Sequence, residues 1–211
     1  AQLRPGKTFS VQEDSGKVIT VKQGFCIIAT ANEKSRRYSG VHDLSTEFRN
    51  RFTANTYHIG YPDADVVVGQ EPLDNYKVAY GAVSDRAGEV LFGEGVEKLE
   101  AFAKAAHMTQ RLFSGHIREG LSDAERDVIG SARLADAGAT GLDENVIAPR
   151  TMVDLLEKVV QSRGAVMLAE VLKEWTGSIK SPHDKQVITT ILSTRGLLGA
   201  RQPEPQIEDA A

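Results

Sequence analysis

The chain has 211 residues, of which 41% are hydrophobic and 26% charged, a balance that supports a buried core and excludes fibrous or wholly disordered classes. Its formal charge of -4 gives no broad basic field, so electrostatics do not put nucleic acid first among partners. A single cysteine, Cys26, excludes an intrachain disulfide framework, and no stretch reaches the roughly 20 apolar residues of a membrane span.

With polar Gln2, Arg4 and Lys7 and no apolar block after them, the amino terminus does not resemble a signal peptide. The expectation is a cytoplasmic protein with no membrane partner. The same segment, Ala1-Gln2-Leu3-Arg4-Pro5-Gly6-Lys7-Thr8, satisfies a relaxed phosphate-loop pattern. That chemistry needs a strand before the loop and a helix after it, because the phosphates rest on backbone N–H groups at the positive end of that helix. The residues after Thr8 instead alternate apolar and polar, so the stretch reads as the lead-in to a strand.

Thr8-Phe9-Ser10-Val11 and Val18-Ile19-Thr20-Val21, on either side of Asp14-Ser15-Gly16, predict a short two-stranded ribbon. Phe25-Cys26-Ile27-Ile28-Ala29-Thr30 is a continuous apolar run, as expected of a strand buried on both faces of a parallel sheet, with Cys26 as packing. A helical segment around Leu44–Phe52 and a further strand at Thr56-Tyr57-His58-Ile59 follow. From about Pro72 the texture is helical. Val96, Leu99, Phe102, Ala103 and Ala106 share one face, as do Met152, Leu155, Leu156, Val159 and Val160. Val166 to Trp175 and Lys185 to Leu198 predict two more helices. Thr151 is a weak helix start, because Pro149 and Arg150 precede it directly. The proline-bearing tail from Gln202 to Ala211 is expected to be disordered.

His42, His58, His107, His116 and His183 lack the close pair spacing of a zinc site, so metal binding by side chains is not expected. Asp63, Asp65, Asp123 and Glu125 read as solvated surface acids, and no nucleophile elbow is present.

Four ordered blocks carry a resemblance. The apolar strand ends in Ala29-Thr30-Ala31-Asn32; then come Tyr38-Ser39-Gly40 and Leu44-Ser45-Thr46-Glu47-Phe48-Arg49-Asn50-Arg51-Phe52; then Tyr57-His58-Ile59-Gly60-Tyr61-Pro62. A separate block, Val146-Ile147-Ala148-Pro149-Arg150-Thr151-Met152, stands about a hundred residues later. In this order they resemble the carboxyl-terminal portion of AAA+ ATPases of the MoxR, midasin and dynein-related branch, which includes the cobaltochelatase small-subunit type. Ala148 stands where those relatives usually have Ser.

The resemblance implies an α/β fold, a partial P-loop NTPase parallel-sheet core over residues 1–66, then an all-α lid over 67–200 and a tail over 201–211. It implies that Asn32 is sensor 1, that Arg51 is the arginine finger reaching a neighbouring subunit's site, and that Arg150 is sensor 2. Arg49 competes with Arg51, since residues two apart on a helix face different sides. A turn-forming role for Asn32 also stays open. The implied cofactors are ATP and Mg2+, the implied assembly a homo-oligomeric ring, usually a hexamer, and the implied partner a remodelled protein, often one with an adhesion-type domain. The phosphate loop and the magnesium-binding acidic motif are not matched, so this stretch is not expected to hydrolyse ATP by itself. A nucleotide-independent scaffold that keeps the ATPase shape is the alternative.

Overall fold

The computed structural model describes residues 5–25, 30, 57, 59–66, 69–116, 119–135 and 140–199. The chain divides into two compact units, Ala1–Thr53 and Ala54–Ala211.

In the first unit, β1 (Thr8–Val11) and β2 (Lys17–Thr20) pair antiparallel with Thr8 opposite Thr20 and Val11 opposite Lys17. A short 3-10 turn over Gln12–Asp14 joins them, closed by Ser15 at φ 54° and Gly16 at φ 76°. Two successive left-handed positions explain a glycine there, since a side chain on the second would be strained. Lys7 and Thr8 run straight into β1, and Gly6 N–H and Lys7 C=O are both bonded to Val21 at 2.8 Å. The backbone that a phosphate loop would turn toward its ligand is here part of the ribbon. The described residues hold this two-stranded sheet. The expected parallel strands at 25–30 and 56–59 fall largely outside the described residues.

The second unit contains seven α-helices among its described residues. They are α1 (Leu73–Val83), α2 (Val96–Phe113), α3 (Asp123–Ile129), α4 (Ser131–Ala135), α5 (Pro149–Gln161), α6 (Leu168–Ser178) and α7 (Pro182–Thr194). Helix α2 is the axis, packing against α1, α5 and α7, while α1 also lies on α5 and α6 bridges α5 and α7. Leu99, Phe102, Leu112, Leu156, Leu172, Ile188 and Leu192 are fully buried where these helices meet. Each such side chain contributes about 1.5–3 kcal/mol over leaving it in water.

Along α2 the apolar-face expectation holds for Leu99, Phe102, Ala103 and Ala106, whereas Val96 at the first turn is 47% exposed. Beyond one face, every residue from Ala105 to Gln110 is buried. Ala105 and Ala106 are small enough to let neighbours close around the helix, and the cost is that Thr109 and Gln110 must find partners inside the core. Gly141 sits against α2 so closely that a Cβ there would lie 2.8 Å from Leu112 Cδ2. Its N–H donates to Leu112 C=O at 3.0 Å, which fixes the approach.

Two acids expected at the solvated surface are structural instead. Asp63, at φ 56°, accepts from Asp74 N–H (3.0 Å) and Asn75 N–H (2.8 Å), supplying the cap that Pro72 at the N-cap position of α1 does not. Glu125 is buried, closes a capping box with Ser122 at the start of α3, and receives Arg195 Nη1 and Thr194 Oγ1. Burial alone would raise the Glu125 carboxyl, but the Arg195 guanidinium and the Ser122 N–H outweigh it and hold it below the usual range. Residues around 61–63 belong with the helices for the same reason. Tyr61 packs edge-on against Phe113, ring centres 6.0 Å apart.

Candidate functional site

Asn32, Arg49 and Arg51 lie outside the described residues. Arg150 is described, and it occupies the second position of α5, exposed to solvent. The helix opens at Pro149, two residues before Thr151, because proline's fixed φ and missing N–H suit the first helical position.

The start of α5 differs from the other helix starts. Among the described helices longer than five residues, it alone has neither an acid in its first turn nor a capping side chain. Ala148, at the N-cap, has no side-chain oxygen to offer. Met152 N–H bonds back to Ala148 C=O at 2.9 Å, but the N–H groups of Arg150 and Thr151 have no acceptor among the described residues. A helix amino terminus carries about half a positive charge, and here a guanidinium is added to it rather than a carboxylate. Arg150 makes no ion pair among the described residues. Two free donors and a planar cation at one helix end suit an oxyanion, and a phosphate fits that donor set.

The loop entering α5 is held from both sides by buried polar groups. On the α2 side, Thr109 Oγ1 accepts from Ile147 N–H at 3.1 Å and Gln110 Nε2 donates to Ile147 C=O at 2.9 Å. Gln110 Nε2 also donates to Asn75 Oδ1 at 3.0 Å, and Asn75 Nδ2 reaches Asp63 Oδ2 at 2.8 Å, so the seam continues to the start of α1. Those two acceptors fix which way the Gln110 amide points. On the α7 side, Asp184, wholly buried, accepts from the N–H groups of Asp143, Glu144 and Asn145, each at 2.8 Å, and from Asn145 Nδ2 at 3.1 Å. Burial would push the Asp184 carboxyl up, yet these donors together hold it below the ordinary carboxylate range. A carboxylate gripping three successive amides leaves the loop one conformation, and so sets where Pro149 and Arg150 emerge.

No family model, curated protein or solved structure matches the chain. The reading of the site therefore stands on these residues and their geometry.

Thr109, Gln110 and Asp184 were not marked by sequence reasoning. Asp184 carried a local signal: Ser181-Pro182-His183-Asp184 has the layout of a helix start, and Ser181 Oγ does accept from Asp184 N–H at 3.2 Å. Its carboxylate, however, turns away to a loop some forty residues earlier, which no local pattern announces. Thr109 and Gln110 had no such signal, being polar residues on an otherwise amphipathic helix. Among the described residues no group of three His, Cys, Asp or Glu side chains is placed to hold a metal, and no helix is long and apolar enough to cross a membrane.

Proposed function

We propose that the chain is the sensing and lid portion of an AAA+ ATPase of the MoxR, midasin and dynein-related branch, coupling ATP binding and hydrolysis to remodelling of a partner protein. The observation that carries this reading is the start of α5: an exposed Arg150 on an uncapped, acid-free helix end, presented by a loop that Asp184, Thr109 and Gln110 hold in place. An arginine here works against its own helix dipole unless an anion completes the site. Sensor 2 is the role in the resembled family that supplies one.

In this reading Arg150 binds a nucleotide phosphate, Asn32 orients the attacking water, and Arg51 enters a neighbouring subunit's site, with Arg49 as the competing finger. Phosphoryl transfer spreads negative charge over the moving group, and a fixed guanidinium supplied in trans contributes about 10³–10⁵ in rate where such fingers have been assessed. ATP and Mg2+ are the implied cofactors; ligands for the Mg2+ would come from outside the described residues. The assembly is a homo-oligomeric ring, usually a hexamer in the family, working in the cytoplasm on a protein substrate or an adhesion-type domain.

The test uses the longest natural product that contains this chain. ATP affinity by calorimetry and steady-state hydrolysis are compared for the natural protein, Arg150→Ala and Arg51→Ala. The expected result is weaker ATP binding in Arg150→Ala, by about tenfold for one lost charge-assisted contact, and near-normal binding with lost turnover in Arg51→Ala. Turnover that survives Arg51→Ala in a confirmed ring, but not Arg49→Ala, moves the finger to Arg49. No ATP binding by the natural protein would replace this reading with the nucleotide-independent scaffold.

A further inference from the structure

Helix α2 carries a second polar feature, away from the start of α5. Lys104, His107, Met108 and Arg111 recur at helical spacing along one side of it and line an open cavity of about 240 Å³, closed by Gly69–Pro72, Gly120 and Arg195. Two of the lining residues, Met108 and His107, are each only 9% exposed. Burial holds the His107 imidazole toward its neutral form, while its Nε2 lies 3.1 Å from Asp63 C=O.

The charges on the rim are unbalanced. Among the described lining residues, Lys104, Arg111 and Arg195 contribute three cations from α2 and the end of α7, against one acid, Glu71. This gathering occurs in a chain whose formal charge is -4, so it is not the background of a basic protein. Arg195 Nη1 is engaged by Glu125 behind the rim, which fixes that side chain in place, 19% exposed. Glu71 pairs with Lys104 Nζ at 3.0 Å and takes the Tyr76 hydroxyl proton as a hydrogen bond; both of the pair are about half exposed, so solvent already competes for the contact. Arg111 is half-buried and makes no ion pair among the described residues. A half-buried guanidinium without an acid among the described residues, lining the same cavity as a fixed second one, is an arrangement that planar oxyanions satisfy with paired hydrogen bonds.

We propose that this cavity binds a compact polyanion, a small molecule bearing phosphate or several carboxylate groups, with Arg111 as its principal contact, Arg195 as a fixed second cation and Lys104 recruited from Glu71. None of the lining residues belongs to the start of α5, so the site stands independently of the ATPase reading. A volume of about 240 Å³ suits such a ligand and is below the roughly 300–1,000 Å³ typical of drug-sized ones.

Calorimetry on the full chain at low ionic strength, with pyrophosphate in one arm and citrate in the other, tests the proposal. At least one anion is expected to bind at a site that persists in Arg150→Ala, and the arm that binds more tightly there identifies phosphate or carboxylate chemistry. Arg111→Gln weakens that binding about tenfold, as the loss of one charge-assisted pair implies. Glu71→Gln tightens it severalfold by releasing Lys104, an effect that a merely structural role for these residues would not produce. Lys104→Gln weakens it and guards against a folding defect in Arg111→Gln. Lys173→Gln removes a comparable exposed charge on α6 and leaves binding unchanged. The proposal is overturned if neither anion binds, if Arg111→Gln and Lys104→Gln bind as the natural chain does, or if Lys173→Gln weakens binding as much as they do. Binding lost in Arg150→Ala and kept in Arg111→Gln would place the anion at the start of α5, overturning this site while supporting the other.

Discussion

The starts of α5 and α7 make opposite use of the same kind of helix end. At α7, Ser181 Oγ accepts from Asp184 N–H, and the Asp184 carboxylate sits inside the first turn, so the positive end of the helix is met from within the fold. At α5 nothing among the described residues meets it in that way: Ala148 has no side-chain acceptor, the first turn holds no acid, and Arg150 adds a positive charge. The two are joined, because the carboxylate that serves α7 also holds the loop that delivers α5. The end of α7 is saturated from within the fold, whereas in the proposed reading the end of α5, charged and open while its approach is fastened, is where an anion from outside would sit.

Asp184 gives the largest expected effect. If it served only the α7 terminus, as an acid in the first turn behind the Ser181 cap, Asp184→Ala would cost about 0.3–1 kcal/mol. Because it also takes the acceptor from three part-buried loop amides, we expect a loss of about 3–5 kcal/mol in equilibrium urea unfolding. A loss near 1 kcal/mol would break the link between the two helix starts. The same carboxyl sets the response to acid. A folded-state pKa below the unfolded one contributes stability that is present above the unfolded value, about 4, and is lost as pH falls through that range and below it. Asp184 and Glu125 both have that sign. Denaturant midpoints measured from pH 6 down to pH 2 should therefore fall below about pH 4, and more shallowly in Asp184→Asn than in the natural chain.

A smaller loss is expected from Gly141→Ala, where the new methyl would lie 2.8 Å from Leu112 Cδ2 on the central helix. Overpacking of this kind costs about 1–3 kcal/mol. Pairing it with Leu112→Val, which removes part of the obstruction, should recover some of the loss; strict additivity of the two changes would show that the close approach does not constrain the fold.

Legibility in the sequence followed the range of the interactions. The β1–β2 ribbon and the apolar faces of α2 and α5 rest on neighbours within a few positions, and periodicity exposed them. The ends of helices were read less well. Helix α6 opens at Leu168 rather than Val166, where Glu170 reaches back to Met167 N–H, and α7 opens at Pro182 rather than Lys185 behind its Ser181 cap. Helix α3 carried an unread signal in Ser122 and Glu125, a capping box whose acid is also the buried partner of Arg195 seventy residues on. Reading Glu125 and Asp63 as surface acids failed because their partners are far away in the chain. At the candidate site the motif around Arg150 was visible, while Thr109, Gln110 and Asp184, which fasten its loop across some forty residues, were not.

The most direct test of the central claim is the equilibrium stability of Arg150→Ala, measured by urea unfolding beside the natural chain. Removing a cation from an unpartnered helix amino terminus should leave the fold as stable or raise it by about 0.3–1 kcal/mol. A loss greater than about 1 kcal/mol would show that Arg150 serves the fold itself, and would contradict the account of α5 as an end held open for an anion.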